Sequence, residues 1–82
     1  MIGFQSTIHY VEPQYVEPLE EAVARALVRA KRHWHVEIVG EDCGIQVHAM
    51  CRDGRGWSSK LPLRADTPEV LEGLLGDAIA AV

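Results

Sequence analysis

Ile45-Gln46-Val47-His48-Ala49-Met50-Cys51-Arg52-Asp53-Gly54-Arg55-Gly56-Trp57-Ser58-Ser59-Lys60-Leu61 reads as two alternating runs around a glycine-bearing turn. In residues 45–51, Ile45, Val47, Ala49 and Cys51 alternate with Gln46, His48 and Met50. In residues 56–63, Trp57, Ser59, Leu61 and Leu63 share one face. Alternation of period two predicts half-buried strands, and Arg52-Asp53-Gly54-Arg55-Gly56 has the glycines a hairpin turn uses. Parity then selects the turn. A two-residue Asp53-Gly54 turn pairs Cys51 with Gly56 and sets Trp57 on the face opposite Ala49. A three-residue Arg52-Asp53-Gly54 loop, with Gly54 in the left-handed region, pairs Ala49 with Trp57 and Val47 with Ser59. Only the second keeps the large apolar residues together. A slip of one residue would invert every side chain, so the three-residue loop is expected.

Working outward, Trp34, Val36 and Ile38 alternate with His33, His35 and Glu37, which predicts a strand over 33–39. Gly40-Glu41-Asp42-Cys43-Gly44 joins it to the hairpin. A two-residue turn there sets His35 opposite His48; a four-residue turn sets Glu37 opposite His48. At the C-terminal side, Asp66-Thr67-Pro68-Glu69 reads as a helix start, with Thr67 at the N-cap and Pro68 at the first helical position. Val70, Leu71, Leu74, Leu75, Ala78, Ile79 and Val82 follow at helical spacing.

At the N-terminal side, Ile2, Phe4, Ile8 and Tyr10 alternate over 2–11, with Ser6 the polar exception. Residues 12–16 contain Pro13 and read as a connection. Glu17-Pro18-Leu19-Glu20-Glu21 reads as the start of a helix over 18–32, with Leu19, Ala22, Val23, Ala26, Leu27 and Ala30 on one stripe. Arg29, Lys31 and Arg32 suit its negative end. The order β-α-β-β-β-α predicts a single α+β domain over 1–82. It is a two-layer sandwich of an antiparallel three-stranded meander plus an N-terminal strand, with both helices on one face. Periodicity leaves the place of the N-terminal strand in the sheet open.

Composition bounds the function. The chain has 82 residues, 48% hydrophobic and 24% charged, as in an ordinary globular domain. A core this small is marginal alone, and oligomerisation is a common remedy. Eight Lys and Arg against 12 Asp and Glu leave a net charge of −4, which excludes the strongly basic footprint of a dedicated nucleic-acid binder. No apolar run approaches the roughly 20 residues that span a bilayer, so no membrane association is expected. The first residues lack the basic and apolar regions of a signal peptide. Cys43 and Cys51 are too few for a disulfide framework, so a cytoplasmic, reduced protein is expected.

The charge is blocky rather than diffuse. Basic residues gather at Arg25, Arg29, Lys31 and Arg32 and again at Arg52, Arg55, Lys60 and Arg64, between acidic stretches. Such patterning suits complementary contacts with a partner.

Three chemistries bear on these residues. His35, Glu37 and His48 share the polar sheet face and form the candidate metal set, although alternation on a strand is not the usual ligand spacing. Cys51 reads as a core residue, and Cys43 has no base partner in sight. Asp53-Gly54-Arg55-Gly56 fits no phosphate-binding pattern. No catalytic or cofactor-binding residue is assigned, and no cofactor is expected. Helix 2 carries Gly73, Gly76, Asp77 and Ala80 opposite its apolar stripe, and two helical glycines suggest close approach of a second helix.

The order α-β-β-β-α over 18–82 resembles a double-stranded-RNA-binding domain in element order alone. Where that family carries a lysine cluster, this chain has Asp66-Thr67-Pro68-Glu69, which repels phosphate. The same order is similar to the HicA toxin type, whose glycine-serine-histidine signature is absent. Neither family is assigned.

These readings point to a non-catalytic protein-binding domain. By class analogy it is a phage-encoded inhibitor of the anti-CRISPR or antitoxin type. The expected partner-binding residues are Arg29, Arg32, Arg52, Arg55, Gly73, Gly76 and Asp77, with a protein partner and a homodimer through helix 2. Two alternatives stand beside it. One is a nucleic-acid-binding accessory protein using the basic patches, with Tyr15 as an exposed stacking residue. The other is a metal-binding protein using the His/Glu set.

Overall fold

Alternation becomes one four-stranded mixed sheet in the order β1-β2-β3-β4. The computed structural model describes residues 4–28, 30 and 32–80. Its elements are β1 (Phe4–His9), α1 (Pro13–Leu27), β2 (Trp34–Glu41), β3 (Gly44–Cys51), β4 (Gly56–Pro62) and α2 (Thr67–Ala80). β2, β3 and β4 form the antiparallel meander. β1 lies at the edge, parallel to β2, with Ile8 opposite Ile38. A parallel neighbour requires a crossover, and α1 is that crossover.

The second hairpin has the expected three-residue loop. Ala49 pairs with Trp57 and Val47 with Ser59. Gly54 takes φ +95°. The Cys51 N–H donates to the Arg55 carbonyl at 2.7 Å, so Arg52-Asp53-Gly54 is the loop. At the first hairpin Glu37 lies opposite His48, the register of the four-residue turn. The ladder then continues to Glu41 and Gly44, leaving only Asp42-Cys43 as the turn.

Two helix boundaries differ from the expectation. α1 spans Pro13–Leu27, not 18–32. Pro13 takes the early position that costs no hydrogen bond, and the Tyr15 N–H bonds the Glu12 carbonyl at 2.9 Å. Pro18 therefore lies inside the helix, where it offers no N–H to the preceding turn. Burial of Leu19, Ala22 and Val23 directly after it offsets that loss. Because the helix stops at Leu27, Arg32 sits in the connection to β2 and Arg25 is the basic residue of the last turn. Arg29 and Lys31 lie outside the described residues. In α2, Thr67 is not a side-chain cap. Its hydroxyl accepts the Arg64 N–H at 2.6 Å and donates to the Pro62 carbonyl at 2.7 Å. The helix ladder opens instead at Asp66, whose carbonyl accepts the Val70 N–H at 3.0 Å.

The core is one cluster. Leu19, Val23 and Leu27 of α1 and Leu71 and Leu75 of α2 meet Trp34, Val36, Ile38, Ile45, Val47 and Ala49 of the sheet. Both helices thus cover one sheet face. α1 packs on α2, and the two touch opposite edges of the sheet, α1 at β1 and α2 at β4.

Gly40 is indispensable to this arrangement. A Cβ there would lie 1.9 Å from the Tyr10 carbonyl oxygen. Tyr10 itself holds φ 57° and is 90% exposed, so it makes the corner between β1 and α1 with its ring in solvent. In contrast, a Cβ at Gly73 meets nothing within 4 Å.

Two outcomes follow for chemical denaturation. Gly40→Ala is expected to cost about 3 kcal/mol or more, because backbone cannot move aside cheaply, while Gly73→Ala gains about 1 kcal/mol in helix propensity. Thr67→Val, which strands the part-buried Pro62 carbonyl and Arg64 N–H, is expected to cost about 1 kcal/mol, with Thr67→Ser recovering most of it.

Candidate functional site

Three surfaces could carry function: the uncovered sheet face, the tip of the β3–β4 hairpin, and the outer flank of α2.

Register builds the first. Thr7, Glu37, His48 and Ser58 form one row across all four strands, since Thr7 pairs with Glu37, Glu37 with His48 and His48 with Ser58. Gln5, His35, Met50 and Gly56 form the next row. Glu37, His48 and Ser58 stand in the order carboxylate, imidazole, hydroxyl that nucleophilic hydrolases use. Among the described residues no hydrogen bond joins them, and Ser58 stands exposed on an open sheet. The sequence reading passed over Ser58, because its relation to His48 appears only once both hairpin registers are fixed. His35 sits diagonally from His48, one row away from the Glu37–His48 pair. Among the described residues no three His, Cys, Asp or Glu side chains group so as to hold a metal ion.

At the hairpin tip, Asp53 organises the basic residues. Its carboxylate accepts the Arg55 backbone N–H at 3.1 Å and the Arg32 guanidinium at 3.0 Å, and the Arg55 guanidinium lies 3.5 Å away. The Arg52 N–H also reaches the His33 carbonyl at 3.2 Å, tying the tip to the α1–β2 connection. Arg32 and Arg55 are therefore brought together, but on an internal acid. Arg52 is exposed beside them. Lys60 similarly faces Glu41 at 3.9 Å, and Arg25 pairs with Glu72 of α2 and, at 3.7 Å, with Glu21. Tyr15 is half-buried and packs on the core, which removes it as an exposed stacking residue. Cys51 is buried and Cys43 exposed, both as free thiols.

The third surface follows from helical rotation of about 100° per residue. Leu71 and Leu75 point at the sheet, and Glu72 points at α1, where Arg25 meets it. Val70 and Leu74 each lie two residues from Glu72, roughly opposite it on the wheel. They occupy the flank turned away from α1, above the β4 edge, and are 42% and 38% exposed. Gly76 lies four residues from Glu72, on the α1 side, and Gly73 is exposed on the top of the helix. Among the described residues, and apart from the helix's own adjacent backbone, nothing comes within 4 Å of the Cβ position of either glycine. Asp77 is exposed. The apolar flank and the glycine positions are thus different faces of α2.

No protein-family model matches the chain, and no curated protein matches it. Among the described residues no helix is long and apolar enough to cross a membrane.

The Asp53 contacts give a measurable signature. The Arg55 backbone N–H holds the carboxyl below its ordinary value of 3.8; partial desolvation opposes this, and the Cys51 thiol and then the Arg55 and Arg32 charges reinforce it. A depressed folded-state value means the stabilisation is present above the unfolded pKa and fades as pH falls through the folded one. Carboxyl-carbon NMR is expected to place the Asp53 midpoint below 3.8 in the native protein, with Arg32→Gln leaving most of the lowering in place, because Arg32 is its smallest cause.

Proposed function

We propose that the chain is a non-catalytic protein-binding domain that docks through its β4–α2 side, in the manner of small inhibitors and antitoxins. The observation that carries this reading is the outward placement of Val70 and Leu74 on the α2 flank, beside the free edge of β4. Apolar side chains held side by side at a sheet edge are the beginnings of an interface core. A cytoplasmic setting suits the free thiols of Cys43 and Cys51.

The nucleic-acid alternative finds less support. Phosphate would have to compete with Asp53 for Arg32 and Arg55, with Glu41 for Lys60, and with Glu21 and Glu72 for Arg25. Half-buried Tyr15 offers no open ring for a base.

Affinity capture with cross-linking separates the readings. The tagged chain is expected to retain a stoichiometric protein that Leu74→Asp releases, with the fold intact by circular dichroism. Capture unchanged in Leu74→Asp, or a salt-dependent mobility shift of RNA or DNA without any protein bound, would count against it.

A further inference from the structure

We propose that the first occupant of this surface is a second copy of the chain, joined by antiparallel pairing of β4 with β4 about a two-fold axis and by packing of the two α2 flanks. The inference rests on the reading of the β4–α2 side as a docking surface and names its partner.

Hydrogen-bond parity on β4 comes first. In an antiparallel pair, residues alternate between bonding the neighbour and pointing away from it. Cys51 bonds Arg55, so Trp57, Ser59 and Leu61 turn their N–H and C=O groups toward β3. Gly56, Ser58 and Lys60 therefore turn theirs to the open edge, together with the carbonyl of Pro62. Among the described residues no other strand follows β4 in the sheet. An edge with alternating donors and acceptors is complementary to itself under a two-fold axis, and such an axis perpendicular to the sheet keeps both helical layers on the same side.

The register is restricted by three side chains. Centring on Lys60 would oppose two ammonium groups. Centring on Ser58 would face Leu61 with Arg55. Centring on Ser59 exchanges bonds between Ser58 and Lys60 and places Trp57 opposite Leu61 on the core face. That register joins the half-buried indole to an apolar partner. The Lys60 side chain stands on the outer sheet face near Glu41, clear of the pairing edge.

The area is that of a small interface. β4 has 7 residues and α2 has 14, so both present strips of about 20 Å. The chain's two shorter extents are 19 Å, so the strip covers at most roughly 400 Å² in projection. That is about half of the roughly 800 Å² per partner of a standard interface, which suits a weak dimer formed at high concentration. Val70 and Leu74 lie on the helical half of that strip and half-buried Trp57 on the strand half, whereas Leu61, 9% exposed, already belongs to the core. The same burial gives a small chain the apolar area its own core lacks.

Sedimentation of the full chain up to about 1 mM tests the proposal. A dimer is expected, weakened about a hundredfold by Ser58→Pro, because the two-fold axis repeats the change and each copy loses an outward N–H. Ser58 donates nothing to β3, so the monomer fold should survive by circular dichroism; Leu74→Lys provides a second variant that leaves the strand untouched. In a Cys43→Ser background, Ser59→Cys is expected to cross-link to a covalent dimer on addition of an oxidant, and Ser6→Cys on β1 is not. A strict monomer overturns the proposal, as does a folded dimer unaffected by both variants. A monomer that still captures a protein through Leu74 overturns the second copy and leaves the docking surface standing; a monomer that captures nothing overturns both.

Discussion

The passage of the Tyr10 carbonyl across Gly40 is the contact on which the rest depends. β1 must end and reverse over the sheet for α1 to reach the core face, and the turn is tight enough that a methyl group on residue 40 would overlap backbone. Tyr10 accepts a left-handed conformation to make that corner. Once the corner is closed, β1 lies parallel to β2, α1 returns over the sheet, and Leu19, Val23 and Leu27 find Trp34, Val36 and Ile38. The meander alone would present one apolar face with nothing upon it. α2 completes the layer, held at its start by the Thr67 hydroxyl between Pro62 and Arg64 and at its side by the Arg25–Glu72 pair.

Covering one face with two helices leaves the other face and both sheet edges to solvent. The uncovered face handles this with polar residues, Thr7, Glu37, Gln46, His48 and Ser58, and with the Lys60–Glu41 pair. Behind the β4 edge the situation differs. There the backbone edge is unpaired and the side chains next to it, Trp57 below and Val70 and Leu74 above, are apolar. The polar features are spent on shaping the chain itself: the hairpin tip consumes Arg32 and Arg55 on Asp53. Beside the β4 edge, Val70, Leu74 and the strand backbone offer apolar surface and hydrogen-bonding groups, which is chemistry that protein–protein contacts use.

How much of this was legible in the sequence depended on whether period or parity carried the information. The β3–β4 turn was readable because Trp57 and Leu61 fall on the wrong face in every register but one. The first hairpin admitted two registers, since His35 and Glu37 are both polar and either can face His48. α1 was displaced by five residues at each end because Pro13 and Pro18 satisfy the same rule for a helix start. Only the crossover, a tertiary demand, favours the first. The edge position of β1 was invisible, because alternation reports which face a residue takes and not which strand lies beside it. On α2 the stripe from Val70 to Ile79 was seen as one core face, whereas packing against α1 turns Val70 and Leu74 outward. Helix propensity alone singles out the glycine positions, and the proposed docking flank lies around the helix from them.

The proposed dimer partners the outward amides of β4 with those of another copy in solution. Hydrogen exchange at the Ser58 and Lys60 amides, followed against protein concentration, reads those two groups directly. The account predicts free-amide exchange in dilute solution and protection that rises with concentration, alongside constant protection in β2 and β3. Free exchange of Ser58 and Lys60 at all concentrations, with the central strands protected throughout, would contradict it.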